Sequence, residues 1–441
     1  MTNPLQKALP PSRSPAQSRK ALAASVVGNF VEWYDFAVYG YSAPVIAKLF
    51  FPSSDQTTAL LGTMAILGTT FLFRPLGGIY FGRLGDRAGR RKALATVVLL
   101  MGVSTVLIGL LPTYASIGAS APILLVLLRL LQGFSSGGEY SGASTFLSEH
   151  APQNRRGMWA AISAATTTLP FTVAALVVLF LSTASPQAYT AWTWRIPFLI
   201  AGPLALVGLY IRMRLEESPV YRQLKENGPV DQPSIGQVLR NYRREVFLVF
   251  SIASLNGVGF YTVSSYVPTY LISTVGLSET VALTTNCIAL CVYSVLAPLL
   301  GRFGDLHGRR AVLRVGAMGL TVLALPAYLL IGQGSWATAV FGQLLLIGPL
   351  VAVASVVAIA QAELFPTQIR YTGAAIGYNG AYAVFGGTAP FVGAFLVARL
   401  HNPVAPAFYL LTVGFLSLLV VARFPETSRL PLNRRDNQTW P

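Results

Sequence analysis

The chain has 441 residues, 53% of them hydrophobic and 11% charged, which excludes an ordinary soluble domain because such domains carry about 25% charged residues. The net charge of +16 would suit a nucleic-acid-binding protein. The basic residues, however, lie in short segments between apolar runs rather than on one soluble face, so nucleic acid is excluded as a partner. Such segments are typical of the cytoplasmic loops of membrane proteins, which are enriched in Lys and Arg.

Apolar runs of about 20 residues follow one another along the chain, and a helix of that length crosses ~30 Å of hydrocarbon. The runs predict twelve spans at 22–47, 57–82, 93–112, 121–147, 157–181, 196–213, 246–272, 280–301, 311–332, 336–361, 371–398 and 404–423. We therefore predict an all-α membrane protein whose twelve transmembrane helices form two six-helix bundles.

The polar segments set the predicted domain boundaries. We predict a disordered cytoplasmic N-terminus at 1–20, an N-terminal six-helix bundle at 21–213, a cytoplasmic linker at 214–245, a C-terminal six-helix bundle at 246–424 and a cytoplasmic tail at 425–441. The linker is expected to contain a short amphipathic helix on the membrane surface. The tail has no heptad pattern and is expected to be unstructured.

The basic residues also predict the orientation. With both termini in the cytoplasm, the outer loops contain only Lys48, Arg195 and Arg399, and the inner loops contain nearly all the other basic residues. This asymmetry predicts a multi-pass protein of the plasma (inner) membrane with both termini cytoplasmic. We expect a monomer in the lipid bilayer.

A Gly-rich basic segment between the second and third spans has a copy between the eighth and ninth. The first is 82–92 (Gly-Arg-Leu-Gly-Asp-Arg-Ala-Gly-Arg-Arg-Lys) and the second is 301–310. The acids of the two copies, Asp86 and Asp305, lie about half the chain apart, which indicates two similar halves. We predict that Asp86 with Arg90, and Asp305 with Arg309, form latches that hold one face of the two halves together.

Five ionisable residues stand out inside the predicted spans, all of them in the first half. They are Glu32, Asp35, Arg74, Arg129 and Glu139. Charge inside a membrane is costly and marks a functional site. Glu32 and Asp35 are three residues apart and share a helix face. Because two neighbouring carboxylates resist joint ionisation in a low dielectric, this pair can take up a proton for coupled transport; the alternative is pairing with an arginine or capping a broken helix.

The fourth span carries a polar stripe that consists of Arg129, Gln132, Ser136, Glu139 and Tyr140. Their spacing places them on one face, toward a cavity or a partner helix rather than lipid. The guanidinium of Arg129 suits a carboxylate, so it either binds a solute or pairs with Glu32, Asp35 or Glu139. Glu139 is a third proton-coupling candidate, with internal pairing as the alternative.

The remaining solute-binding candidates are polar and aromatic residues of both halves. They are Gln132, Tyr39, Asn256, Tyr261, Tyr266 and Arg74. The aromatic rings can offer cation–π contacts to a quaternary amine, although membrane-helix aromatics also serve as packing residues. Arg74 either lines the path or extends toward the membrane surface.

The sequence contains no constellation that predicts an enzyme. The three histidines lie in loops without metal-ligand spacing, and no phosphate-binding Gly-x-x-x-x-Gly-Lys-Ser/Thr segment is found. We predict no metal and no cofactor, with the proton as the coupling ion. A membrane sensor without transport is the alternative of another class, but its longest inner loop is too short for an output domain.

Five stretches, at 28–36, 73–78, 132–140, 194–198 and 364–370, resemble sequences of the metabolite:proton symporter family, a branch of the major facilitator superfamily. The resemblance extends over about 20–425. It implies two six-helix bundles, alternating access and uptake driven by the proton gradient, with Glu32, Asp35, Arg129 and Glu139 as functional candidates.

The same resemblance implies a small carboxylate-bearing solute. A zwitterionic osmolyte such as proline or glycine betaine is favoured, and a di- or tricarboxylate such as 2-oxoglutarate or citrate is the alternative. Osmosensing members of the family carry a long C-terminal coiled coil, and this chain has no such heptads before Pro441. We therefore expect no osmotic activation through such a tail.

Overall fold

A computed structural model describes residues 15–51, 56–88, 90–137, 151, 153–214, 234–366 and 369–429. The regular structure in these ranges is helical throughout, without a strand. The first six long helices are α1 (Pro15–Phe50), α2 (Gln56–Leu72 continued by Arg74–Ala88), α3 (Arg90–Leu110), α4 (Ser120–Ser136), α5 (Arg156–Ala184) and α6 (Ile196–Arg214). The second six are α7 (Arg243–Tyr261, Thr262–Tyr266 and Val267–Ser273), α8 (Glu279–His307), α9 (Arg309–Ile331), α10 (Trp336–Leu364), α11 (Arg370–Ala381, Tyr382–Gly386 and Ala389–Leu400) and α12 (Ala405–Val421).

The predicted number of spans is confirmed. Within the described ranges, eight helical segments are long and apolar enough to cross a membrane, and three shorter apolar helices lie in α3, α4 and α12. Together with α1 they make twelve. Large apolar side chains such as Phe180, Leu206 and Val295 are well exposed on the outside of the bundle, as a surface in contact with lipid requires.

The helix boundaries differ from the prediction at several polar segments. α1 begins at Pro15, inside the segment that was predicted to be disordered, whereas residues 1–14 lie outside the described part. The linker contains the short helix Ile235–Asn241, which begins with a capping box between Ser234 and Gln237. After α12, Phe424 and Thr427 are buried, so the start of the predicted tail packs against the bundle.

Helices of the two halves pack against each other chiefly through α5 with α8 and α2 with α11, and also through α5 with α10 and α1 with α7. Gly157 of α5 lies directly against Gly301 of α8, and Gly387 of α11 lies against Phe71 of α2. Small residues at these positions let the helix backbones approach closely, which is how membrane helices pack without a hydrophobic driving force.

α7 and α11 each contain a π-helical turn, at Thr262–Tyr266 and Tyr382–Gly386. Such turns interrupt the regular hydrogen-bond ladder and are frequent at functional sites. The Asn286 side chain of α8 donates a 2.7 Å hydrogen bond to the Val263 carbonyl within the first turn. The two turns therefore place irregular backbone of the second half beside the first half, where the candidate site lies.

Candidate functional site

Four of the five predicted intramembrane ionisable residues are described, and all four are almost completely buried in the first half. They are Glu32, Asp35, Arg74 and Arg129. They form two separate ion pairs, Glu32 with Arg74 and Asp35 with Arg129. Each carboxylate thus has its own arginine partner. This agrees with the alternative interpretation, in which an acid of the Glu32/Asp35 pair binds an arginine. Glu139, the fifth candidate, lies outside the described residues.

Arg74 lies at the boundary between the halves. Its Nη2 atom is 2.7 Å from Glu32 Oε1, and its guanidinium carbon is 5.4 Å from the centre of the Phe71 ring. Nε and Nη1 of Arg74 have no hydrogen-bond partner among the described residues. The side chain is fully buried, so the interpretation that it extends toward the membrane surface is wrong.

Arg129 belongs to a cluster that lies entirely within the first half. Its Nη1 atom is 3.7 Å from Asp35 Oδ2 and donates a 2.9 Å hydrogen bond to Gln132. Asp35 Oδ1 accepts hydrogen bonds from Gln132 at 2.6 Å and Thr105 at 2.7 Å. The guanidinium carbon lies 4.1 Å from the centre of the Tyr39 ring. We name Asp35, Thr105, Arg129 and Gln132 the Asp35 cluster; the sequence reasoning missed Thr105 because a threonine in an apolar run carries no distinguishing pattern.

The polar candidates of the second half are only partly brought to this region. Asn256 Nδ2 donates a 2.8 Å hydrogen bond to the Tyr382 hydroxyl. The Tyr261 ring lies 5.0 Å from that of Phe71 on α2, and its hydroxyl has no hydrogen-bond partner among the residues described. Tyr266 instead packs against Tyr270 of the same helix, 5.9 Å between ring centres.

A small central pocket lies between the halves. Its lining consists of Trp33, Ala164 and Thr167 from the first half and Asn256, Phe260, Tyr293, Ala354, Tyr378 and Tyr382 from the second. It has room for about one water molecule, which is too little for an organic solute. Phe260 and Tyr378 were not predicted as site residues, because aromatics in apolar helices look alike in sequence whether they line a pocket or fill a core.

Contacts between the halves occur on both sides of the pocket. On one side, the Tyr41 hydroxyl of α1 donates a 2.8 Å hydrogen bond to Asn286 of α8. On the other, Asp305 of α8 accepts hydrogen bonds from the backbone N–H groups of Gly157 (2.8 Å) and Met158 (3.0 Å) at the start of α5. We call this the occluded arrangement: within the described residues, the halves are in contact on both sides of the pocket.

The second predicted latch is present as an ion pair within the second half, and its Asp305 reaches the first half through the two N–H groups at the start of α5. Arg309 Nη2 lies 2.8 Å from Asp305 Oδ1 and 3.2 Å from Glu363 Oε1 at the end of α10. Glu363 is buried and also accepts a hydrogen bond from Thr427. The side chains of Asp86 and Arg90, the first predicted latch, lie outside the described residues.

Two six-helix halves that close around a buried polar site define a multi-pass membrane transporter of the major facilitator type. The chain belongs to the Sugar (and other) transporter family, whose model matches residues 20–234 and 226–438. This confirms the predicted superfamily.

Proteins of similar sequence are transporters rather than enzymes. The chain is 36% identical to the proline/betaine transporter of Escherichia coli K12, over 94% of this chain and 85% of that protein. The chain is also 36% identical to the glycine betaine/proline/ectoine/pipecolic acid transporter OusA of Dickeya dadantii, over 94% of this chain and 84% of that protein. The solved structure of the proton:xylose symporter XylE bound to 6-bromo-6-deoxy-D-glucose has a TM-score of 0.78 and 18% identity, and the match covers 96% of this chain and 98% of that one; this likeness shows the shared fold.

Proposed function

We propose that the protein is a proton-coupled symporter that imports a zwitterionic osmolyte such as proline or glycine betaine by alternating access. The observation that carries this proposal is the pairing of two buried acids with two buried arginines, beside an aromatic pocket between the halves. The proposal places both termini in the cytoplasm, and it needs no cofactor besides the proton and no second copy of the chain.

The charges of the site support a zwitterion over a dicarboxylate. Glu32 and Asp35 balance Arg74 and Arg129, so the described part of the site has no formal net charge. A zwitterion would keep that balance, whereas a dianion would leave uncompensated charge in a low dielectric, which is costly. The names of the relatives, which include proline and betaine, agree with this choice.

The arginines supply groups for the carboxylate of such a solute. Nε and Nη1 of Arg74, and Nε and Nη2 of Arg129, have no hydrogen-bond partners within the described chain. A carboxylate accepts strong charge-assisted hydrogen bonds from guanidinium groups. The aromatic rings around the pocket suit the cationic end through cation–π attraction.

The Asp35 cluster supplies the coupling. Protonation of Asp35 would remove its attraction for Arg129, which would then be free to bind the solute. The carboxylate of the solute would then take the place of the Asp35 charge beside Arg129, which would allow the halves to close on one side and open on the other. Such a scheme uses a buried acid on the transport path, as proton-driven carriers require.

The test is uptake of radiolabelled proline and glycine betaine into proteoliposomes, with and without an imposed pH gradient. We expect accumulation only with the gradient, and we expect Asp35→Asn to lose accumulation while it retains solute exchange. Ser104→Ala is the matched control, since Ser104 neighbours Thr105 but donates to the Leu100 carbonyl of its own helix. Uptake that ignores the gradient would refute the coupling, and accumulation by Asp35→Asn would refute its role.

A further inference from the structure

Asn256 of α7 lines the central pocket, and its side-chain amide is only partly hydrogen-bonded within the described residues. Its side chain is buried, and Nδ2 donates a hydrogen bond to the Tyr382 hydroxyl. Oδ1 has no hydrogen-bond partner among the residues that the structure describes. A buried amide oxygen without a donor is destabilising and calls for an explanation such as a ligand.

The pocket around this oxygen is aromatic and uncharged. Trp33 and Phe260 approach each other to 5.5 Å between ring centres, and Tyr382 stacks on Tyr378 at 4.2 Å. Among the described residues, the lining contains no Asp, Glu, Lys or Arg. Ring faces attract an ammonium group whether or not it carries N–H bonds, so the rings alone do not distinguish one type of ammonium from another.

We propose that Asn256 determines which ammonium groups the transporter prefers. Its Oδ1 atom would accept a hydrogen bond from the N–H of a secondary ammonium, such as that of proline. A quaternary ammonium, such as that of glycine betaine, has no N–H and gains nothing from this oxygen. The inference rests on the proposed function, since it assumes a zwitterion bound in this pocket.

The closed pocket must widen before it can hold either group, since it has room for about one water molecule. The helices that carry Asn256 and Tyr382 contain the two π-helical turns, and Tyr382 is the first residue of the second turn. Gly257 of α7 and Gly386 of α11 are in contact next to them. Movement of these two helices away from the first half would open the aromatic rings around Asn256 Oδ1.

The experiment compares two ligands with one carbon skeleton, proline and N,N-dimethylproline, which differ by the N–H groups. Their dissociation constants are measured on the purified protein by ligand-induced thermal stabilisation. We expect Asn256→Leu to lower the ratio of the two dissociation constants, N,N-dimethylproline over proline, by about tenfold to a hundredfold. A change of this size corresponds to the loss of one hydrogen bond to a charged donor. If the Asn256→Leu protein does not fold, the same ratio is measured for Asn256→Ala.

Tyr382→Phe is the matched control. It removes the hydroxyl to which Asn256 Nδ2 donates but leaves Oδ1 in place, so both constants should change by the same factor and their ratio should stay at the wild-type value. An unchanged ratio in both Asn256 variants would overturn this inference alone. A wild-type protein that binds neither ligand nor glycine betaine would overturn the proposed function as well.

Discussion

Arg74 Nη2 on α2 lies 2.7 Å from Glu32 Oε1 on α1, and both side chains are fully buried. The pair connects the first two helices of the first half at the surface that faces Tyr261 and Tyr382 of the second. A buried ion pair contributes little net stability as a whole, but removal of one partner leaves a charge without its counterion.

We therefore expect Arg74→Gln and Glu32→Gln to destabilise the protein by about 3–5 kcal/mol each. The double variant should be more stable than either single variant, because it buries no uncompensated charge. Unfolding of the four proteins in detergent, followed by circular dichroism, measures this double-mutant cycle. Additive losses in the double variant would contradict a direct interaction.

Tyr41 and Asn286 offer a test of the occluded arrangement, because their hydrogen bond joins α1 to α8. Loss of the bond in Tyr41→Phe should weaken the contact by about 1 kcal/mol and raise the open population about fivefold. Cys287 reports opening, since it is buried and its Sγ faces the Thr172 carbonyl of α5. In a Cys291→Ser background, the rate of Cys287 alkylation by N-ethylmaleimide should rise about fivefold.

Tyr34→Phe is the control for that measurement. The Tyr34 hydroxyl donates a 3.1 Å hydrogen bond to the Pro197 carbonyl, so its bond joins α1 to α6 within one half. Its loss should lower stability to a similar extent without faster alkylation of Cys287. Equal acceleration in both variants would mean that alkylation reports general loosening rather than separation of the halves.

The intramembrane charges could be found from sequence because charge is rare in apolar helices. Glu32, Asp35, Arg74 and Arg129 stood out for this reason, and all four are buried in one region. Their partners could not be predicted, since Glu32 with Arg74 and Asp35 with Arg129 depend on how α1, α2 and α4 pack. Residue spacing predicts which side chains share a face of one helix, but it does not predict how far that face lies from another helix.

The neutral residues of the site were harder to predict. Tyr41, Gln343 and Thr105 differ little in sequence from other residues in apolar spans, and they are identified by the hydrogen bonds that they make. The hydrogen bond from Asn286 to the Val263 carbonyl follows from the π-helical turn, which no periodicity in the sequence indicates. The roles of Glu139, Asp86 and Arg90 stay predictions.

Gly157 tests the close approach of α5 and α8. A Cβ atom there would lie 2.7 Å from the Gly301 carbonyl oxygen and would collide with the Arg309 side chain. Gly157→Ala should therefore destabilise the closed state by about 1–3 kcal/mol, the usual cost of overpacking, and lower the uptake rate. The measurements are thermal unfolding and initial uptake in proteoliposomes.

Gly348 of α10 is the matched control, because a Cβ atom there would meet no other atom within 4 Å. Gly348→Ala should leave uptake unchanged and stabilise the helix by up to about 1 kcal/mol, since alanine favours helix over glycine. A Gly157→Ala protein that behaves like this control would show that the glycine contact is unnecessary for closure.

Glu426, in the segment after α12, stabilises the start of α9. Its carboxylate accepts hydrogen bonds from the backbone N–H groups of Arg309 at 2.9 Å and Arg310 at 3.2 Å, where a helix N-terminus favours negative charge. Partial burial raises the pKa of Glu426, but the hydrogen bonds from the backbone of Arg309, Ser428 and Arg310 outweigh burial and hold that pKa below its usual value.

The lowered pKa of Glu426 determines how its contribution to stability changes with pH. A carboxyl whose folded pKa is below its unfolded value of 4.5 stabilises the fold fully above that value, and the contribution is lost as the pH falls through the folded pKa. We expect Glu426→Gln to lower the free energy of unfolding by about 1 kcal/mol at pH 7. The loss is small because solvent screens a half-exposed group, and it should become progressively smaller below pH 4.5. Ser417→Ala, which removes a neutral hydrogen bond to the Ser251 carbonyl, should cost the same at every pH. Thermal unfolding from pH 7 to pH 3 compares the two, and a constant difference between Glu426→Gln and wild type would contradict the ionised contact.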